Sequence, residues 1–137
     1  MIKTMMIALL LSAPSLTLTH ADPTPAITAR YSQAYDDCIH HGERTGEMAM
    51  PGYVCNEREY AVQDARLNQA YKMVMTRLTE PRKAELRTLQ RQWIGQRDMV
   101  CARREIAEGD VEGYVGVKLE CLMNMTIART IFLERYR

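Results

Sequence analysis

Beyond residue 18 the chain has no uninterrupted apolar stretch approaching the roughly twenty residues that a membrane-spanning helix needs, so no permanent membrane insertion is expected. It lacks a Cys-x-x-Cys pair, and only two of its three histidines, His40 and His41, lie beyond the first 21 residues. Neighbouring residues on a helix point about 100° apart, so these two do not share one ion from regular structure, and no metal or other cofactor is expected. Also missing are the Gly-x-Ser-x-Gly nucleophile turn and the glycine-rich phosphate loop, which removes the common signatures of catalysis. Glu57 and Asp64, the nearest thing to a paired-carboxylate site, are read as solvated charges, and no enzyme activity is expected. There is little excess of either charge: the formal net charge is +1, and setting aside Lys3 in the leader leaves basic and acidic residues equal in number. A nucleic-acid or anionic-membrane footprint needs positive charge clustered on one face, so the expected partner is a protein or a glycan rather than DNA.

What is present begins with an export signal. Lys3 precedes an uncharged apolar run over residues 4–18, followed by Thr19-His20-Ala21 with small residues where a signal peptidase cuts. Cleavage after Ala21 is expected, leaving residues 22–137 as a single domain of ordinary size, periplasmic or secreted. No cysteine precedes Cys38, so lipid anchoring is not expected.

The four cysteines, Cys38, Cys55, Cys101 and Cys121, then fall in an oxidising compartment and read as structural disulfides. Four cysteines allow three pairings. Cys38 and Cys55 flank a segment carrying Gly42, Gly46, Pro51 and Gly52, and Cys101 and Cys121 flank one carrying Gly109, Asp110 and Gly113. Residues equidistant from a hairpin turn lie at one height, which favours Cys38 with Cys55 and Cys101 with Cys121. The competing Cys55–Cys101 pairing, centred near Pro81, stays open.

Hydrophobic spacing by threes and fours runs through the rest of the chain, with no strand-like alternation to rival it. A first helix is predicted over residues 27–40, inward at Tyr31, Ala34, Tyr35 and Cys38, with Gly42 as a stop. A second covers residues 56–78, with Tyr60, Leu67, Tyr71, Val74 and Leu78 inward. A third begins near residue 80, tolerating Pro81 in its first turn, and turns Leu86, Leu89, Trp93, Val100 and Cys101 inward. The last runs over residues 111–136, with Val117, Cys121, Leu122, Met125, Phe132 and Leu133 inward. The fold class is therefore all-α: a small array of about four helices with antiparallel hairpins, stapled by two disulfides. The ten methionines read as core filler.

Two polar residues interrupt these stripes. Asp64 and Arg97 lie at nearly equal distances from the break near residue 80, so an antiparallel hairpin would set them side by side as a buried ion pair. Asn68 and Asp98 are near enough in height to extend the network. Its expected role is to fix hairpin register.

The run Cys55-x-x-x-Glu59, Asp64, Leu67-Asn68 and Tyr71, then Gln90-Arg91-x-Trp93-x-x-x-Arg97-Asp98-x-x-Cys101, and finally Cys121-x-x-x-Met125-Thr126-x-x-Arg129, resembles the lysozyme inhibitor LprI-like family. The resemblance implies a small exported helical domain with disulfides, named for a member that inhibits lysozyme. The namesake is lipid-anchored, whereas this chain lacks the cysteine that anchoring requires. Carried onto this sequence, the recurrent residues are Asp64, Asn68, Trp93, Arg97, Asp98 and Arg129, which coincide largely with positions expected to be inward. The implied partner is a lysozyme, with segment 40–46, and His41 and Arg44 within it, as a contact loop clamped by the Cys38–Cys55 bridge. The other functional class that the sequence admits is an envelope accessory protein that binds a client through an apolar groove and inhibits no lysozyme.

Overall fold

A computed structural model of the chain describes residues 23–45, 51–108 and 116–137, with the side chains of 42–45, 51 and 108 excepted. The expected leader over residues 1–21 and the turn residues Gly46, Gly109, Asp110 and Gly113 lie outside the described residues. Those described are almost wholly helical: α1 (Pro25–Thr28), α2 (Gln33–Thr45), α3 (Pro51–Arg77), α4 (Glu80–Glu108) and α5 (Val117–Arg135). The all-α expectation and both favoured disulfides are met. Cys38 bonds Cys55 and Cys101 bonds Cys121, with Cα atoms 5.8 and 5.5 Å apart.

The packing order differs from the expected chain of hairpins. α5 lies between α3 and α4 and packs on both, whereas α3 and α4 do not pack along their lengths despite the short turn at residues 78–79 that joins them. The three helices converge near that turn, where Leu67 and Val74 of α3, Leu86 of α4 and Leu133 of α5 form a buried core ringed by Tyr71, Leu78, Trp93 and Tyr136. Burying such side chains contributes about 1.5–3 kcal/mol each. Flanked on two sides, α5 is correspondingly buried around much of its circumference, from Val117 and Cys121 through Met123, Ile127 and Leu133. At its start Gly116 holds φ 113°, a left-handed conformation that L side chains avoid, and a Cβ there would sit 3.4 Å from the Tyr53 backbone.

The predicted first helix is broken in two. α1 ends at Thr28, and the chain turns a corner before Ser32, whose hydroxyl accepts the Tyr35 N–H at 3.1 Å and so caps α2. At its other end, α2 runs past the predicted stop at Gly42 to Thr45. A glycine inside a helix costs about 1 kcal/mol against alanine, too little to end a helix that tertiary bonds hold in place.

Several inward assignments also change: Ala34, expected inward on the first helix, is exposed, because Tyr35 and Cys38 are the residues of α2 that turn toward α3. Phe132, expected in the core, is 41% exposed, because Leu133 is the neighbour that faces α3 and α4. In the first half of α3 the buried stripe is Cys55, Glu59, Gln63 and Leu67, one residue earlier than the predicted Tyr60 and Asp64, which are half-buried.

Candidate functional site

The polar core of the molecule lies where α2 meets α3. Glu59 is 2% exposed, and its carboxylate accepts the Ser32 N–H at 2.8 Å, the Ser32 hydroxyl at 2.5 Å and the Gln63 side-chain amide at 2.6 Å. Among the described residues no cation pairs with it; its compensation is these donors together with the positive end of the α2 dipole. Gln63 also donates to the Arg30 carbonyl at 2.8 Å, and Arg66 reaches the same oxygen at 2.8 Å. The tyrosines of the corner stack edge to face 5.0 Å apart and are each tethered, Tyr31 donating to Asn124 at 2.8 Å and Tyr35 to Asn56 at 2.9 Å. Sequence spacing overlooks Glu59, Gln63, Asn56 and Asn124, because apolar periodicity selects their neighbours. The four-residue spacing of Cys55, Glu59, Gln63 and Leu67, with the two polar residues between a cysteine and a core leucine, was the available signal.

Burial, with the charges of Tyr31, Glu120, Glu59 and Asp36 around it, pushes the Tyr35 phenol up to about 12, and burial moves Tyr31 and Tyr60 upward as well. The folded protein therefore keeps phenolic protons that the unfolded chain releases near pH 10. The stability these protons supply is full below pH 10 and is lost as pH rises toward 12. Urea unfolding at pH 9 and pH 11.5 should show a loss on the order of 1–2 kcal/mol, discounted for partial exposure, and a smaller loss in Tyr35→Phe. Equal pH sensitivity in the two proteins would remove Tyr35 as a source.

The expected Asp64–Arg97 ion pair is not formed. Arg97 bonds its own neighbour Asp98 at 2.8 Å, while Asp64 accepts from Asn68 at 3.0 Å. The cause is the divergence of α3 and α4 away from their turn, which leaves equal heights without equal positions. The residues nonetheless face a common point: after burial, Arg97, Asp64 and Asp98 all act on the Tyr60 phenol. His41, expected on a loop with Arg44, sits exposed on α2, and Arg44 lies three residues on in the same helix. The clamped-loop expectation is thus replaced by a helix face.

Two surfaces offer room for a partner. A groove of about 330 Å³ between α3 and α5 has an apolar floor of Ala70, Met73, Val74 and Ile127. The arginines at its rim are engaged internally. Arg30 makes a two-point bond with Glu134 at 2.9 and 2.7 Å, Arg66 holds the Arg30 carbonyl, and Arg77 closes the end of α5 through the carbonyls of Leu133, Glu134 and Tyr136.

The other surface, on α4 and α5, is an alternating series of arginines and rings. The Arg97 guanidinium lies 5.1 Å from the Trp93 ring and Arg129 lies 5.5 Å from it. Arg129 is also 4.4 Å from Phe132, Phe132 is 5.5 Å from Tyr136, and Arg82 lies 4.8 Å over Tyr136. Beside this series opens a shallow cleft of about 500 Å³ to which Arg82, Arg135 and Arg137 contribute. Arg129 donates to Gln90 at 2.9 Å and has no carboxylate partner among the described residues; its burial lowers its pKa. Trp93, Arg97 and Arg129, recurrent in the family resembled, thus belong to one cluster.

Among the described residues, no helix is long and apolar enough to cross a membrane. No curated protein and no solved structure matches the chain. Residues 38–133, from the first disulfide cysteine to the last core leucine, match the family model described as lysozyme inhibitor LprI, and the chain belongs to that family.

Proposed function

We propose that this protein is an exported binding domain that inhibits a lysozyme-type peptidoglycan hydrolase. The observation that carries the reading is the family match, which includes all four disulfide cysteines and, of the arginine–aromatic cluster, Arg82, Trp93, Arg97, Arg129 and Phe132. Two disulfides are in keeping with an oxidising compartment outside the cytoplasm. A domain whose helices are held by covalent bridges and buried polar bonds loses little further conformational freedom on binding, which favours affinity. Inhibition by occlusion requires binding alone, with no bond made or broken by the inhibitor.

The test is to titrate the oxidised protein into cell-wall lysis assays with chicken-type, goose-type and invertebrate-type lysozymes. Inhibition of at least one type is expected, weakened after reduction of the disulfides. With folding verified by circular dichroism, failure against all three would overturn the reading. It would favour instead an envelope accessory protein, for which the apolar floor of the α3–α5 groove supplies the client-binding surface.

A further inference from the structure

We infer that the arginine–aromatic face of α4 and α5 is the surface that docks on the hydrolase, and that the partner it fits is the acidic substrate cleft. The inference rests on the inhibitor reading proposed above. The shallow cleft is lined by three arginines and no acidic side chain, which leaves an excess of positive charge on it. A glycosidase of this kind works with two carboxylates across its cleft, one ionised and one held protonated to donate to the leaving oxygen. Guanidinium groups brought against them complement the first charge and draw the proton off the second, while the rings fill space that sugar would occupy.

The composition fits a protein partner. Arginine and aromatic residues carry a disproportionate share of energy in protein interfaces, especially where water is excluded around them. Phe132, the single phenylalanine of the chain, is 41% exposed and lies against Arg129. Beneath it Arg129 Nη2 and the Tyr136 hydroxyl are buried without a hydrogen-bond partner among the described residues. A half-buried guanidinium with no internal carboxylate has most to gain from a countercharge supplied from outside. Arg97 and Arg82, by contrast, are partly neutralised by Asp98 and Glu85. The arginines of the competing α3–α5 groove already serve backbone carbonyls and Glu134, so they have less to offer the carboxylates of another protein's cleft.

The experiment uses the full oxidised chain and the lysozyme that it inhibits. Phe132→Ala combined with Arg135→Glu should weaken inhibition by roughly 100-fold while the melting curve stays close to that of the unaltered protein. Arg135→Glu alone, an exposed change, should weaken it about 10-fold, and Arg135→Lys should retain most of it. Inhibition by the unaltered protein should fall steeply between low and high salt, and less steeply for the charge-reversed variant. If the unaltered protein inhibits and the double variant inhibits equally well, the docking face is wrong and the inhibitor reading stands. Loss of inhibition in His41→Ala with Arg44→Ala, but not in the double variant, moves the contact to α2 and likewise overturns the inference. If the unaltered protein inhibits no lysozyme, both fall together.

Discussion

Glu59→Ala is expected to be among the most damaging single substitutions in the chain, lowering the free energy of unfolding on the order of 3–5 kcal/mol. The reason lies in what the carboxylate satisfies. Removing it leaves the Ser32 N–H, the Ser32 hydroxyl and one Gln63 N–H without their acceptor at a site where Glu59 and Gln63 are 2% and 1% exposed. Each buried donor left unmet costs about 1–3 kcal/mol, and the loss also leaves a cavity where the Cγ methylene and the carboxylate had packed. For a domain of this size that corresponds to a melting temperature lower by roughly 10–20 °C. Glu59→Gln, which keeps the volume but sets an amide against a cluster of donors, should fall between Glu59→Ala and the unaltered protein. Thermal unfolding followed by circular dichroism decides the matter; a shift of only a few degrees for Glu59→Ala would show that the corner between α1 and α2 is held chiefly by the apolar contacts and the tyrosine bonds.

That corner also marks where sequence reasoning stops. The helical class was legible because apolar spacing by threes and fours needs only local geometry, and the disulfide pairing because each bonded pair brackets a glycine-bearing segment of the sequence. The break between α1 and α2 was not legible. It depends on Ser32 meeting Glu59, 27 residues away, and a continuous stripe of Tyr31, Ala34 and Tyr35 gives no sign of it. The same bond explains the error of phase in α3. Tyr60 is the apolar choice, yet Glu59 goes inward because α2 offers it donors. In α4 and α5 the residues of the resemblance came out in one place, with Trp93 between Arg97 and Arg129. Their arrangement was hidden because the expected α3–α4 hairpin ignored the insertion of α5, and an ion pair across that hairpin required contact that the helices do not make. Phe132 was misplaced for a related reason: with α5 flanked on two sides, apolar residues occur on nearly every face, and periodicity alone cannot say which one remains at the surface.

The other large effect follows from that same splaying of α3 and α4. Beyond the core around Leu86, α4 is held to the rest of the protein through α5, and the buried Cys101–Cys121 bridge is its covalent tie far from the turn. Cys101→Ala with Cys121→Ala should cost about 3 kcal/mol on the chain-entropy account of a loop this long. It should act unevenly along the helix. Amide exchange past Val100 should accelerate strongly, while residues near Leu86 and Trp93, packed in the three-helix core, should keep their protection. Removing Cys38–Cys55 should leave less local fraying, because α2 retains the Ser32–Glu59 and Tyr35–Asn56 bonds. Exchange in the second half of α4 that matches the intact protein would show that the thin α4–α5 interface suffices without its bridge. With both bridges reduced, losses of about 3 kcal/mol each approach the whole stability expected of a domain of this kind, so unfolding and loss of any inhibition should then coincide.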